Sequence, residues 1–250
     1  MPAYPAQSAQ GKRIRDKIEG GESALLFKGA TGMGKTVTVG VAVRANKSKE
    51  VGFYVAKDAT LARAHCKPVG AHDKDGKSFT LSKNLKDLTR QLSDPASTRA
   101  TYTMTPNMLQ AMGRMAVSAG SGEGGEAKGL LDLLALLKEK DVTRLVFWCD
   151  EPHNLYQYER SVTPAYMAAL RALIATQYPS IALVVVGITA TPMYDADSAP
   201  KRLKAHAEAF FGTLPAPTTW TPEEHTALAL ALRPYPEKPK WTRVELDPPT

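Results

Sequence analysis

Residues 24–43 read "ALLFKGATGMGKTVTVGVAV" and combine three local patterns in one short segment. Residues 24–28 are mostly bulky and apolar, which predicts a buried strand. Residues 29–36 form a glycine-rich loop, and a helix is predicted over residues 34–45. A strand, a glycine-rich loop and a helix in this order are typical of a phosphate-binding unit in an α/β protein.

The glycine-rich loop fits the pattern G-x-x-x-x-G-K-[ST]. Its glycines allow the backbone to curl so that successive N–H groups face one concavity, and the start of the following helix adds partial positive charge. Lys35 is predicted to reach the β- and γ-phosphates of a nucleotide, and the Thr36 hydroxyl to bind Mg²⁺. The predicted nucleotide-binding residues of the loop are Gly29, Thr31, Gly32, Gly34, Lys35 and Thr36.

Short apolar runs alternate with longer segments of helical period along most of the chain. This alternation predicts βαβ units around a parallel sheet, joined by helical crossovers. The predicted strands cover residues 24–28, 52–56, 101–104, 145–149 and 181–186. The predicted helices cover residues 34–45, 60–65, 81–92, 106–115, 130–138, 163–177 and 222–232.

Composition divides the chain near residue 212. Two polar stretches, 70–78 and 118–129, are interpreted as surface loops within the first part. Prolines become frequent from residue 213 onward. We therefore expect one domain over residues 1–212 and a proline-rich linker, or the start of a second lobe, over residues 213–250.

The bulk composition argues against several classes of protein. The chain of 250 residues has 32 Lys and Arg against 25 Asp and Glu, an excess that is compatible with phosphate-rich partners. No apolar stretch approaches the ~20 residues that span a bilayer, and the N-terminus lacks the apolar region of a signal peptide. We therefore expect no membrane association and an intracellular location: cytoplasm, nucleus or a viral factory. Cys66 and Cys149 form no CxxC or Cys/His cluster, which argues against structural zinc and disulfides.

Residues 144–155 read "RLVFWCDEPHNL" and place two adjacent carboxylates directly after an apolar run. In a fold with a phosphate loop, an acid at the end of a strand holds Mg²⁺, and a neighbouring acid orients the attacking water. Asp150 fits the first role and Glu151 the second. Paired acids more often form a solvated helix start, so this assignment depends on the phosphate loop upstream.

Residues 184–192, "VVVGITATP", form another apolar run that ends in hydroxyl side chains and a proline. Thr189 and Thr191 flank an alanine, and Pro192 stops further strand pairing. Taken alone, the pattern favours an ordinary strand exit capped by hydroxyls, because threonine is common there.

The segments "GATGMGKT", "DEPH" and "TATP", each at a strand end, resemble motifs I, II and III of the superfamily 2 helicases and translocases, the DEAD/DEAH-like group. Lys35 to Asp150 is 150 − 35 = 115 residues, and Asp150 to Thr189 is 189 − 150 = 39 residues, in keeping with that group. The resemblance implies a P-loop RecA-like three-layer sandwich with a mainly parallel central sheet. It also implies ATP and Mg²⁺ as cofactors, with Thr36 and Asp150 at the metal. The implied catalytic residues are Lys35, Asp150, Glu151 and His153.

Further roles follow from the same resemblance. His153, Thr189 and Thr191 would link the state of the γ-phosphate to the surface that binds nucleic acid. For His153, the alternative is a helix-start histidine bonded to the backbone. Gln10 would contact adenine, with Gln7 almost as good a candidate.

Two weaker similarities concern the nucleic-acid path. Residues 54–65 resemble motif Ia and residues 103–109 resemble motif Ib, both of which face the nucleic-acid backbone in the family. DNA is mildly favoured over RNA, because "TATP" looks more like restriction-type and repair-type translocases than the "SAT" of RNA-directed members.

The implied activity is that of an ATP-dependent nucleic-acid helicase or translocase. Such an enzyme needs a second RecA-like lobe whose arginines complete the ATP site, and we expect it in cis or in trans because 58 residues after Pro192 are too few for one. Two alternatives are another P-loop motor, such as a viral packaging ATPase, and a nucleotide-dependent binding module without motor activity.

Overall fold

The computed structural model describes residues 3–44, 49–56, 80–81, 84–94, 101–121, 124–190, 194 and 199–232. Within these ranges, seven strands form one sheet in the order β3-β4-β2-β5-β6-β1-β7, and every neighbouring pair is parallel. The strands are β1 (Ala24–Lys28), β2 (Glu50–Val55), β3 (Thr80–Leu81), β4 (Thr101–Met104), β5 (Arg144–Asp150), β6 (Ala182–Thr189) and β7 (Pro217–Thr218).

Helices cover both faces of this sheet. In chain order they are α1 (Pro5–Glu19), α2 (Lys35–Arg44), α3 (Leu85–Ser93), α4 (Pro106–Gly120), α5 (Gly124–Glu139), α6 (His153–Tyr156), α7 (Thr163–Gln177), α8 (Lys201–Phe211) and α9 (Pro222–Ala231). Buried side chains of α1, α2 and α9 form one apolar cluster, and those of α3, α4, α5, α7 and α8 form the other. The predicted α/β three-layer sandwich with a mainly parallel sheet is therefore confirmed.

Strand β5 shows how the sequence builds the two layers. Leu145, Phe147 and Cys149 enter one apolar cluster, while Val146 and Trp148 enter the other, as the alternation of side chains along a strand requires. All five are fully buried, so the continuous apolar run reflects a central strand covered on both faces. Its carboxyl end carries Asp150 to the edge of the sheet.

Several predicted elements differ from the observed ones. Leu81 belongs to β3, and α3 begins at Leu85 because the Asn84 side chain caps it through the Asp87 N–H. Helix α5 begins at Gly124, so much of the predicted loop over 118–129 is helical. The predicted helix at 60–65 and the predicted loop at 70–78 lie outside the described residues.

The chain after residue 212 returns to the same sheet. Strand β7 pairs with β1, and Trp220 packs edge-on against Phe27 with ring centroids 4.9 Å apart. The sequence assigns residues 213–250 to a linker or a second lobe. Their described part, residues 213–232, packs on the first sheet, and the division at residue 212 stays a prediction.

None of the helices that the structure describes is both long enough and apolar enough to cross a membrane.

Candidate functional site

The three predicted motifs meet at the carboxyl edge of three adjacent strands. Strand β6 lies between β1 and β5, with Lys28 opposite Thr189 and Asp150 opposite Ile188. Because all three strands are parallel, the segments that follow them leave the sheet at the same edge. The phosphate loop, the paired acids and Thr189 at the start of the "TATP" segment are therefore neighbours, although Gly29 and Thr189 are 189 − 29 = 160 residues apart in the sequence.

The phosphate loop has the backbone that its glycines permit. Gly32 and Gly34 have φ values of +82° and +78°, in the left-handed region that disfavours other residues. The loop leads directly into α2, whose first residue is Lys35, so the free N–H groups of the helix start face it. The Gly29 N–H donates to the Thr189 carbonyl at 2.9 Å, which fixes the loop to the end of β6. Thr31 is exposed on the loop.

Glu151 is the centre of the polar contacts at this edge. Its carboxylate accepts a hydrogen bond from the Thr189 hydroxyl at 2.5 Å and one from the Ala190 N–H at 3.3 Å. The Lys35 ammonium lies 4.0 Å from the same carboxylate and 3.4 Å from the Ala30 carbonyl. His153 Nδ1 lies 3.5 Å from both Glu151 and the Thr189 hydroxyl. One carboxylate thus contacts residues of all three motifs.

The backbone at Glu151 is unusual. Its φ is +46°, in the left-handed region, which costs roughly 1 kcal/mol or more for a residue other than glycine. The Glu151 N–H donates to the Ile188 carbonyl at 2.7 Å, and its carbonyl accepts from the Asn154 N–H at 3.0 Å. These two bonds hold the turn between β5 and α6 and aim the carboxylate back toward the phosphate loop.

Tyr54, near the end of β2, also belongs to the candidate site. The sequence analysis named it only as part of residues 54–65, the segment that resembles motif Ia. Burial raises the pKa of Tyr54, the negative charge of Asp150 raises it further, and a contact with the Thr36 side chain lowers it. The phenol therefore interacts with both predicted magnesium ligands. Its position at a strand end next to β5 was the signal that could have found it.

The oxygen atoms of Thr36 and Asp150 are of the kind that Mg²⁺ prefers. Among the described residues, no group of three or more His, Cys, Asp and Glu side chains is placed to hold a metal ion. Magnesium bound with a nucleotide needs only one or two protein oxygens, because phosphates and water supply the rest. The hydroxyl of Thr36 and the carboxylate of Asp150, which both interact with Tyr54, are two oxygens of this kind.

The two candidate glutamines both lie within α1. Gln7 donates from Nε2 to the Met33 carbonyl in the phosphate loop at 3.2 Å and accepts from the Tyr4 N–H at 3.0 Å. Gln10 accepts from Arg13 at 2.7 Å. Both are buried, and Gln7 is the one that contacts the phosphate loop; which of the two contacts adenine stays a prediction.

Of the predicted coupling residues, Thr189 is 1% exposed and contacts Glu151, whereas Thr191 lies outside the described residues. His153 begins α6 and turns its Nδ1 toward the same carboxylate. Residues 103–109 form the end of β4 and the start of α4; only part of the Ia-like segment, residues 54–56, is described.

Comparison with known structures supports the fold. The crystal structure of the DUF1998 helicase MrfA bound to DNA and AMPPNP is similar with a TM-score of 0.53 and 14% identity, over 87% of this chain and 27% of MrfA. MrfA bound to DNA gives a TM-score of 0.54 and 15% identity over the same shares. The chain thus spans about a quarter of MrfA, and at this identity the likeness shows the fold alone.

Comparison with sequences gives the family. No curated protein matches the chain. A family model described as "Type III restriction enzyme, res subunit" matches residues 1–194, which include all three motifs and most of the sheet. The match agrees with the predicted resemblance to the ATP-binding lobe of superfamily 2 helicases. The chain therefore belongs to the family of type III restriction enzyme res subunits.

Proposed function

We propose that this lobe binds Mg-ATP and hydrolyses it to drive movement along nucleic acid, with DNA preferred to RNA. The observation that carries the proposal is the Glu151 carboxylate, which contacts Lys35 of the phosphate loop, Thr189 of the "TATP" segment and His153. A binding module would need the phosphate loop, but it would not need a strained acid beside it. Membership of the res-subunit family supports the same reading.

Each residue has a distinct task in the proposed hydrolysis. The loop N–H groups and Lys35 bind and orient the β- and γ-phosphates. Thr36 and Asp150 would hold Mg²⁺, which neutralises charge that develops on the phosphate oxygens. Glu151 orients the attacking water and accepts its proton. Lys35 lies 4.0 Å from Glu151, and the phosphates of a nucleotide would give its ammonium a stronger anionic partner.

The contacts of Glu151 also suggest how hydrolysis is coupled to movement. Thr189 is buried at the end of β6 and holds the acid, while the next N–H, that of Ala190, donates to the same carboxylate. A change in charge at the γ-phosphate therefore alters hydrogen bonds at the start of the segment after β6. We propose that this segment transmits the change to a nucleic-acid surface shared with a second RecA-like lobe, in cis or in trans.

Phosphate release measured with and without nucleic acid tests the proposal. The full-length protein is assayed with ATP and with linear DNA, circular DNA or RNA, each at the same concentration of nucleic-acid residues. The Lys35→Ala variant gives the background rate. We expect hydrolysis above background that DNA stimulates severalfold and more than RNA. Stimulation that depends on a capsid partner would favour a packaging ATPase. Nucleotide binding with no hydrolysis under any condition would leave only the binding module.

Replacing Thr189 by valine tests the contact with Glu151 while keeping the side-chain shape. A hydrogen bond to a charged group contributes ~1.5–3 kcal/mol, so we expect kcat to fall about tenfold or more while KM for ATP changes little. The matched control is Thr176→Val, because Thr176 is an exposed helical threonine whose hydroxyl donates to the Ala172 carbonyl. Equal kcat values for the two variants would show that Thr189 does not position Glu151.

A further inference from the structure

Trp220, the second residue after β7, lies against the first glycine of the phosphate loop. The indole is 2% exposed, and a Cβ added to Gly29 would overlap its six-membered ring. The indole also packs edge-on against Phe27, at 4.9 Å between ring centroids. The loop backbone therefore rests directly on an aromatic ring that comes from about 190 residues later in the chain.

The other end of the phosphate loop is held from helix α1. The Gln7 amide donates to the Met33 carbonyl at 3.2 Å and lies so close to Gly34 that a Cβ there would overlap its nitrogen. Because the same amide accepts from the Tyr4 N–H, its orientation is fixed. The position of α1 thus sets the position of the Gly34 end of the loop.

An ion pair joins these two supports. Arg13 of α1 donates through both terminal nitrogens to the Glu224 carboxylate, at 2.8 and 2.5 Å. Glu224 is itself fixed in the first turn of α9, where it and Thr221 form a reciprocal capping box. We call residues 217–231, which comprise β7, Trp220 and α9, the β7–α9 unit. Through Trp220 it contacts one end of the loop, and through Arg13 and α1 it reaches the other.

We propose that the β7–α9 unit is part of the nucleotide site, with Trp220 and Glu224 as positioning residues that hold the phosphate loop from both ends. This proposal rests on the proposed function, since it concerns the same nucleotide. A phosphate loop binds through backbone N–H groups that must point at one place, and errors of about 0.5 Å weaken such a site. The unit lies beyond residue 194, where the match to the family model ends.

The ion pair is tested with Glu224→Gln, which keeps the side-chain shape and removes the charge. Glu223→Gln is the matched control, because Glu223 is exposed and adjacent on the same helix. With the complete chain, we expect the Kd for Mg-AMPPNP in a calorimetric titration to rise about threefold in Glu224→Gln and not in the control. The charge swap that combines Arg13→Glu with Glu224→Arg should restore part of the lost affinity, because it re-forms the ion pair but removes the acceptor for the Thr221 N–H.

The aromatic support is tested with Trp220→Ala and, in case that variant does not fold, with Trp220→Phe. We expect a rise in Kd and in KM for ATP of about tenfold for alanine and less for phenylalanine, with kcat changed less than KM. Leu170→Ala, a fully buried substitution in the opposite apolar cluster, controls for general destabilisation and should leave Kd unchanged at a temperature where it is folded.

The outcomes separate this inference from the proposed function. Wild-type binding of Mg-AMPPNP together with unchanged affinity in Glu224→Gln and Trp220→Phe would overturn the positioning role and leave the nucleotide site standing. An equal loss of affinity in Leu170→Ala would also overturn it, because the effect would then be one of stability. A wild-type chain that binds no nucleotide would contradict the proposed function itself.

Discussion

Lys35→Ala is expected to abolish ATP binding. Lys35 is the first residue of α2, and its ammonium lies 3.4 Å from the Ala30 carbonyl, so the charge is held over the phosphate loop. Charge-assisted hydrogen bonds contribute ~1.5–3 kcal/mol each, and the residue is expected to make more than one to the β- and γ-phosphates. We therefore expect the Kd for Mg-AMPPNP to rise at least about a hundredfold.

Calorimetric titration measures this effect directly. Lys12→Ala is the control, because Lys12 is an exposed lysine on α1 and its loss changes the net charge by the same amount. A similar small change in Kd in both variants would mean that nucleotide affinity depends only on the overall charge of the protein. Wild-type affinity in Lys35→Ala would overturn the assignment of the loop as a phosphate site.

Glu151→Gln is expected to keep ATP binding and to stop turnover. Glutamine preserves the size of the side chain, but an amide cannot take a proton from water, and general-base catalysis typically contributes 10²–10⁴-fold. We expect kcat to fall by about that factor in the full-length protein. The Kd for ATP should stay the same or fall, since removing a negative charge 4.0 Å from Lys35 favours phosphate binding there.

Phosphate release in single-turnover and steady-state assays separates the two effects. Glu159→Gln serves as the control, since Glu159 is an exposed acid of the same region that pairs with Arg202. Hydrolysis at the wild-type rate in Glu151→Gln would place the water-orienting acid elsewhere. Loss of nucleotide binding would instead assign Glu151 to the support of the loop.

Local patterns predicted the elements that surround the three motifs. Strands β1 and β4 and helix α7 have the predicted bounds. The two strands are short, mostly buried runs, and α7 carries buried apolar residues at helical spacing, with its one proline in the first turn, where proline is tolerated. Helix α5 starts six residues before its predicted start at residue 130, in a glycine-rich segment that composition alone favours as a loop. Four buried leucines, Leu130, Leu133, Leu134 and Leu137, stabilise the helix, and the glycines extend it at modest cost.

Other elements were missed for different reasons. Helix α8 carries Leu203, Ala207 and Phe210 at helical spacing, a signal that was present but lay between proline-rich segments. Strand β7 consists of Pro217 and Thr218 alone, and no local pattern identifies a two-residue strand. Its existence depends on pairing with β1, which is a tertiary contact.

Some residues of the candidate site could likewise be predicted from the sequence, and others could not. The phosphate loop and the paired acids were predictable, because their chemistry requires particular residues at fixed spacing. Trp220 was not, since a lone tryptophan in a proline-rich segment gives no indication that it touches Gly29. The contact between Gln7 and the phosphate loop also needed the structure, because Gln7 and Gln10 are both buried on α1 and only the path of the helix decides which one reaches the loop.

The strand order bears on how the chain acquires its function during synthesis. Strand β1 has β6 and β7 as its two neighbours in the sheet. Ala24 therefore cannot pair until Val185 has been synthesised, which is 185 − 24 = 161 residues later. At ~5–20 residues per second, ribosomes need roughly 8–32 s to make that interval. During this time the nascent chain carries an apolar strand with no partner, and chaperones have a defined segment to protect. The proposed nucleotide site, which includes Glu151 and Thr189, is complete only after the second half of the chain has been translated.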